Sequence, residues 1–215
     1  MAEARTVDGL PGAVTPRQQA RRRRIVDAGL ALLKTRDYEK IQVKDVAEQA
    51  NVALGTLYRY FASKEHLFAE VLVAWAGTLR TNISRHPLPA STDTERLTEV
   101  YHRSIRAFQR QPSLARLVAT LETATDPFAT EILARLAQTT NDIYVEALQD
   151  MDRARAQRIV HVVDAVLASS LRTWTAHRVP IAQVYDDLTN AIELLPILTK
   201  PWKVRSTHRA SVKRA

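Results

Sequence analysis

From Thr78 to Ala215 the sequence contains no glycine. A sheet protein of that length needs glycine at tight turns where the backbone takes positive φ, so the stretch is expected to be helical. Its prolines, Pro87, Pro89, Pro112, Pro127, Pro180, Pro196 and Pro201, read as helix punctuation. Proline suits a first helical turn or the residues just beyond a helix end. Between them apolar residues recur at helical spacing, as in Val184, Leu188, Ile192 and Leu195. The same period runs through Ile25, Ala28, Gly29, Leu32 and Leu33 nearer the start. The fold class expected is all-α.

This patterning predicts helices over about 17–36, 43–50, 54–60, 64–85, 93–110, 113–124, 127–150, 152–177 and 181–198. Thr15-Pro16 and Asp126-Pro127 each pair a capping side chain with a first-turn proline. With 215 residues, 46% of them hydrophobic, the chain can bury a substantial core. Flexible tails are expected at 1–14 and 203–215, around a small N-terminal domain at 15–63 and a larger helical domain at 64–202.

Several function classes lack the residues they need. There is no cysteine, which excludes disulfides, thiolate metal sites and cysteine nucleophiles. The six histidines show no metal-ligand spacing and no glycine-rich phosphate loop occurs, so no metal, cofactor or catalytic set is expected. His161 and Asp164, one turn apart, read as a structural hydrogen bond. The longest apolar run, near VLVAWAG, is far short of the ~18 residues of a membrane span. The N-terminus is too polar for a signal peptide, and a cytoplasmic protein without a membrane partner is expected.

The formal net charge of +8 is unevenly distributed. Residues 15–66 carry 11 basic and 6 acidic side chains, and residues 199–215 carry 6 basic and none acidic. Residues 67–198 are close to balanced, with 13 and 15. A localised surplus of this kind points to a polyanionic partner.

Within the first basic segment lies NVALGTLYRYFASKEHL, Asn51 to Leu67. On a helical wheel Leu54, Leu57, Tyr58 and Phe61 share one side, and Gly55, Thr56, Arg59 and Tyr60 share the other. The preceding predicted helix offers Val46, Ala47 and Ala50 to pack against Leu57 and Phe61, with Val52 filling the turn. Asn51 can take the left-handed backbone such a turn needs. This is the pattern of a helix-turn-helix, whose second helix enters the DNA major groove.

The stretch VKDVAEQANVALGTLYRYFASKEHLF, within about Arg23 to Phe68, resembles the TetR family of bacterial transcriptional regulators. The resemblance implies an N-terminal three-helix DNA-binding domain joined to a larger helical domain that dimerises and binds a small molecule. It places Thr56 and Tyr60 at bases or backbone in the groove, Tyr58 and Lys64 at phosphates, and Val43 and Lys44 where the second helix approaches DNA. Gly55 and Arg59 complete the outward face, and Leu54, inward on the wheel, lies near DNA by the resemblance. Many family members have glycine at Asn51, serine or threonine at Ala53, and a polar residue at Leu54. Ala53 offers neither a cap nor a hydroxyl for phosphate. In the run RQQARRRRI, Arg17, Arg21 and Arg22 could form an arm along the minor groove or backbone.

The predicted helix 152–177 is apolar over more than half its circumference, so it needs cover on more than one side. A second copy of the chain could supply it across Val162, Ala165, Val166 and Ser169, joined by Leu188, Ile192 and Leu195 of the last helix. Tyr101, Phe108, Leu117, Leu121, Phe128, Tyr144 and Trp174 are candidates to line an apolar cavity among the middle helices. The segment FQRQPSLARLVATLETATDPFATEI is similar to a sterol-catabolism branch of the family, which implies a sterol-derived or other acyl-CoA ligand. The rival reading is a non-specific binder of nucleic acid or anionic membrane surfaces, based on the basic tail KPWKVRSTHRASVKRA. That tail has almost no apolar face for an amphipathic anchor.

Overall fold

The computed structural model describes residues 15–85, 88 and 92–198, except the side chains of 139 and 195–198. The predicted tails at 1–14 and 203–215 and the Leu195 side chain lie outside the described residues.

Helices α1 (Pro16–Leu33), α2 (Val43–Gln49) and α3 (Leu54–Tyr58) form the head, with a 3-10 turn at Tyr38–Lys40. The body contains α4 (Lys64–Arg85), α5 (Asp93–Arg110), α6 (Pro112–Glu122), α7 (Pro127–Ala147), α8 (Arg153–Thr175) and α9 (Ile181–Leu198). No strand occurs among the described residues, and the fold is all-α as expected. The predicted helices are all present, with ends displaced by no more than three residues. Their starts follow from side-chain caps. Thr15 accepts from the Gln18 amide at 3.3 Å while the Gln18 side chain accepts from the Thr15 amide at 2.8 Å, and Asp126 accepts from the Ala129 amide at 2.7 Å. Ser63 accepts from the His66 amide at 2.8 Å at the start of α4.

The head is anchored on the first half of α4. A Cβ at Gly29 would lie 2.9 Å from a Val71 methyl, so glycine lets α1 and α4 approach closely there. Ile25, Leu33, Ile41, Val46, Leu57, Phe61 and Phe68 are completely or almost completely buried. Side chains of this size each contribute roughly 1.5–3 kcal/mol on burial. Tyr38 meets Phe68 edge-on at 5.1 Å and donates to Glu65 at 3.2 Å, a link invisible to periodicity because it joins a short turn to a distant helix.

In the body, Tyr101 of α5 stacks on Tyr144 of α7 at 4.1 Å. The Tyr101 hydroxyl donates to Asp164 of α8 at 2.7 Å, and the Tyr144 hydroxyl donates to Ser104 at 2.9 Å. Asp164 is thus held from other helices, by Tyr101 and by the Asn141 amide at 2.7 Å, where a bond to His161 of its own helix was expected. Burial holds the Asp164 carboxyl up at about 6 despite the Tyr101 bond. Head and body also meet at α6. Ser113 donates to the Leu33 carbonyl at 2.5 Å and Arg116 Nε donates to Asp37 at 3.1 Å, while within the body His66 of α4 stacks on Phe128 of α7 at 5.3 Å.

Candidate nucleic-acid interface

Asn51 takes φ 51° between α2 and α3, the left-handed conformation the turn requires. The Val52 amide then donates to the Ala47 carbonyl at 2.9 Å. Val46, Ala47 and Ala50 of α2 and Leu57 and Phe61 are all buried where α2 and α3 pack together. Ala53 begins α3 without a side-chain cap. The turn and its packing are those predicted.

The helical wheel of α3 fails in three places. Leu54 is 43% exposed and Tyr58 is 50% exposed, although both were expected on the packed side. The helix is only five residues long and buries a single narrow stripe at Leu57, after which the chain turns at Arg59 and returns inward at Phe61. Tyr60, expected outward, is half-buried against the core. The outward surface is therefore Leu54, Gly55, Tyr58 and Arg59, with Thr56 half-exposed and Lys44 exposed on α2. Val43 is half-buried against the core at the start of α2. A Cβ at Gly55 would meet nothing within 4 Å, so no contact within the chain requires glycine there.

Two predicted DNA contacts, Arg22 of the arm and the phosphate ligand Lys64, are engaged within the protein. Arg22 pairs with Glu70 of α4 at 2.6 Å and lies over the Phe61 ring at 5.3 Å. Lys64 donates to the Tyr38 carbonyl at 2.7 Å with its ammonium 4.0 Å from that residue's ring centre, and desolvation lowers its pKa. Arg17 and Arg21 are exposed, but they ride on α1 itself rather than on an extended arm, because Thr15 caps the helix before them.

The body candidates divide differently. Tyr101, Phe108, Leu117, Leu121 and Tyr144 fill the core, Trp174 packs against it, and Phe128 is taken up by His66. None of these seven lines the groove of about 450 Å³ between α4 and α7. Its wall is Val73, Ala76 and Gly77 on one side and Ile132, Leu136 and Ile143 on the other, with Glu70, Arg80 and Arg135 among its polar groups. Large aromatics pack against one another in the core, whereas the small residues of α4 leave room for the groove. The sequence signal was the Val73, Ala76, Gly77, Arg80 stripe off the buried face of α4.

On the far side, Val162 is 50% exposed, Ala165 and Ser169 are exposed, and Val166 is half-buried. Leu188 and Ile192, predicted at the same interface, are covered by their own chain at 0% and 1% exposure. Spacing of four along α9 keeps them on the stripe that packs inward with Val184. Among the described side chains of α9, Leu194, off that stripe, is 54% exposed.

Residues 25–71 match the family described as bacterial regulatory proteins, tetR family, and residues 91–195 match a tetracyclin repressor-like C-terminal domain. The HTH-type transcriptional repressor KstR of Mycolicibacterium smegmatis is 32% identical over 179 residues, covering 83% of this chain and 88% of that protein. A TetR transcriptional regulator from Rhodococcus sp. RHA1 has a similar fold, with TM-score 0.75 and 24% identity over 86% of this chain and all of the other. FadR of Thermus thermophilus, solved in complex with lauroyl-CoA, has TM-score 0.64 and 18% identity over 90% of this chain and 99% of its own.

Proposed function

The chain belongs to the TetR family of bacterial regulatory proteins, and from that premise we propose that it is a dimeric repressor that leaves its operator when an apolar ligand binds between α4 and α7. The observation that carries the reading is the surface of α3. Leu54 and Tyr58 stand half-exposed beside Thr56, Arg59 and Lys44, on a helix fixed from behind by Leu57 and Phe61. The head gains nothing from such apolar side chains in water. In a major groove, Leu54 meets thymine methyls, Thr56 meets base edges, and Arg59 and Lys44 meet bases or phosphate. Glycine at position 55 lets the helix backbone approach the nucleic acid.

The same residues offer a route from ligand to DNA. Glu70 belongs to the groove and holds Arg22, whose guanidinium covers Phe61 directly behind the reading helix. A ligand that spreads α4 from α7 shifts Glu70 and with it the angle of the head. It acts only through a difference in affinity between the two head spacings, and a coupling of ~1–3 kcal/mol changes operator affinity several-fold to a hundredfold. The volume suits a small amphipathic molecule. The solved complex of FadR with lauroyl-CoA and the likeness to KstR make acyl-CoA thioesters, sterol-derived ones first, the compounds to try.

The reading is tested by recovering genomic fragments bound by the purified protein and repeating the binding with acyl-CoA thioesters. It expects a shared pseudo-palindrome with two half-sites, released by a ligand that also raises the melting temperature of the free protein. Fragments with no common sequence would favour the non-specific binder, and a stabilising ligand that leaves operator affinity unchanged would remove the switch.

A further inference from the structure

Histidine is an odd choice at position 66. It is buried on the first turn of α4, where an apolar residue would avoid the cost of taking two ring nitrogens out of water. Its ring has partners on three different parts of the chain. Nδ1 accepts from the Ala62 amide at 3.1 Å, in the link between α3 and α4. The face of the ring stacks on Phe128, in the first turn of α7, at 5.3 Å with 18° between the planes. It also meets Phe61 edge-on at 5.5 Å, and Phe61 is the buried ring that backs the reading helix. Burial lowers the histidine pKa against the pull of Glu70, with Arg22 helping and Asp126 opposing, so the accepting nitrogen stays unprotonated at neutral pH.

The same ring stands at the headward end of the groove between α4 and α7. Glu70 and Ile132 are the groove residues nearest the head, and one turn before them on their helices come His66 and Phe128. Spreading α4 from α7 must therefore either unstack these two rings or carry Phe61 with them. We propose that His66 is the positioning residue that joins α7 to the reading helix: its stack on Phe128 and its edge on Phe61 turn a displacement of α7 into a tilt of α3. The bond from the Ala62 amide holds the ring in the one plane that allows both contacts. This role rests on the reading of the groove as the ligand site, but the contact itself is open to test without ligand or operator. It is separate from the route through Glu70 and Arg22, which starts on α4 and leaves α7 out.

Amide hydrogen exchange of the free full chain, with Phe128→Ala and His66→Asn made singly and together, tests the link. Asparagine places its side-chain oxygen where Nδ1 stands, so it keeps an acceptor for Ala62 and removes the ring. The Leu57, Tyr60 and Phe61 amides, bonded at 2.9–3.2 Å to the Ala53 and Leu57 carbonyls, report on α3, and the Ala50 amide, bonded to the Val46 carbonyl at 2.9 Å, reports on α2. Phe128→Ala is expected to speed exchange of the α3 amides about fivefold, the worth of one ring contact, and to leave Ala50 unchanged. With His66→Asn already in place, the same truncation should do nothing further to α3. Equal acceleration with and without His66 would overturn the proposal by routing the effect elsewhere. Equal acceleration of α2 and α3 would overturn it too, by reducing both rings to ordinary packing, as would α3 amides that do not respond at all. Should His66→Asn not fold, His66→Phe is the second variant, keeping a ring and losing the acceptor. Phe128→Ala should then still speed α3 exchange while the Ala62 amide exchanges faster, and loss of the α3 response there overturns the assignment. Since neither ligand nor operator is used, failure here leaves the repressor reading untouched, and a chain without an operator would leave this result standing.

Discussion

Helices α3 and α8 each leave a large apolar side chain half in water, Tyr58 on one and Val162 on the other, but in opposite surroundings. Around Tyr58 lie Lys44, Arg59 and a glycine, on a helix of five residues held by one buried stripe. Around Val162 lie Ala165, Val166 and Ser169, on a helix of 23 residues whose inner side is locked into the core. The first surface combines apolar contact with positive charge, which suits a groove lined by phosphates. The second has small residues that permit close helix approach, which suits a second copy of the same helix. The distinction between exposed apolar residues is therefore in their neighbours, and Val73, a further exposed valine among the described residues, lies in the groove between α4 and α7.

The strongest way to break the comparison is to place charge on the α8 surface. Ala165→Arg should convert the proposed dimer to monomer by forcing an unpaired cation into the contact between copies, a cost on the order of 3–5 kcal/mol. Sedimentation would read this directly, with helix content unchanged because Ala165 is exposed in the single chain. A wild-type protein that sediments as a monomer would remove the assigned role of that face.

The inner side of α8 gives a second effect with a defined pH signature. Burial raises the Asp164 carboxyl from the usual 3.8 to about 6, so the folded state takes up a proton more readily than the unfolded chain. Stability contributed by this group consequently increases as pH falls from about 6 to about 4 and is absent above that window. Asp164→Asn keeps an acceptor for Tyr101 and removes the buried charge. It should stabilise the protein by about 2–3 kcal/mol at pH 8, an advantage that fades below pH 4. Equal stabilisation at both pH values in thermal melts would assign the gain to something other than ionisation.

On the head, Lys64→Met sharpens the contrast between what faces DNA and what supports it. With its ammonium held by the Tyr38 carbonyl and ring, Lys64 should matter to stability, by about 1–2 kcal/mol. Operator affinity of the folded variant should change little. A decrease of about one in the salt dependence of binding would instead show that Lys64 leaves Tyr38 for a phosphate. The smallest expected effect is at Gly55. Alanine there finds open space within the chain and should add roughly 0.5–1 kcal/mol of helix stability while weakening operator binding. A variant that is both more stable and equally tight would mean that the backbone of α3 does not approach DNA at this position.

Helix placement was legible because each boundary is written locally: Thr15 with Pro16, Asn51, Ser63, and Asp126 with Pro127. Side-chain destinations were less so. A wheel assumes a helix long enough to have faces, and α3 is too short for Leu54 and Tyr58 to obey it. Arg22 and Lys64 have flexible stems, and their partners Glu70 and Tyr38 are fixed only by packing across helices. Leu188 and Ile192 show the converse, since an apolar stripe in sequence does not state whether its own chain or a partner covers it.

The central claim is that the outward face of α3 reads sequence. Its most direct test is the affinity of Thr56→Ala for the operator and for random DNA of equal length at one salt concentration. A loss of about 1–3 kcal/mol on the operator is expected, with binding to random DNA unchanged. Equal losses on both would contradict it, leaving α3 as a helix that only grips the backbone.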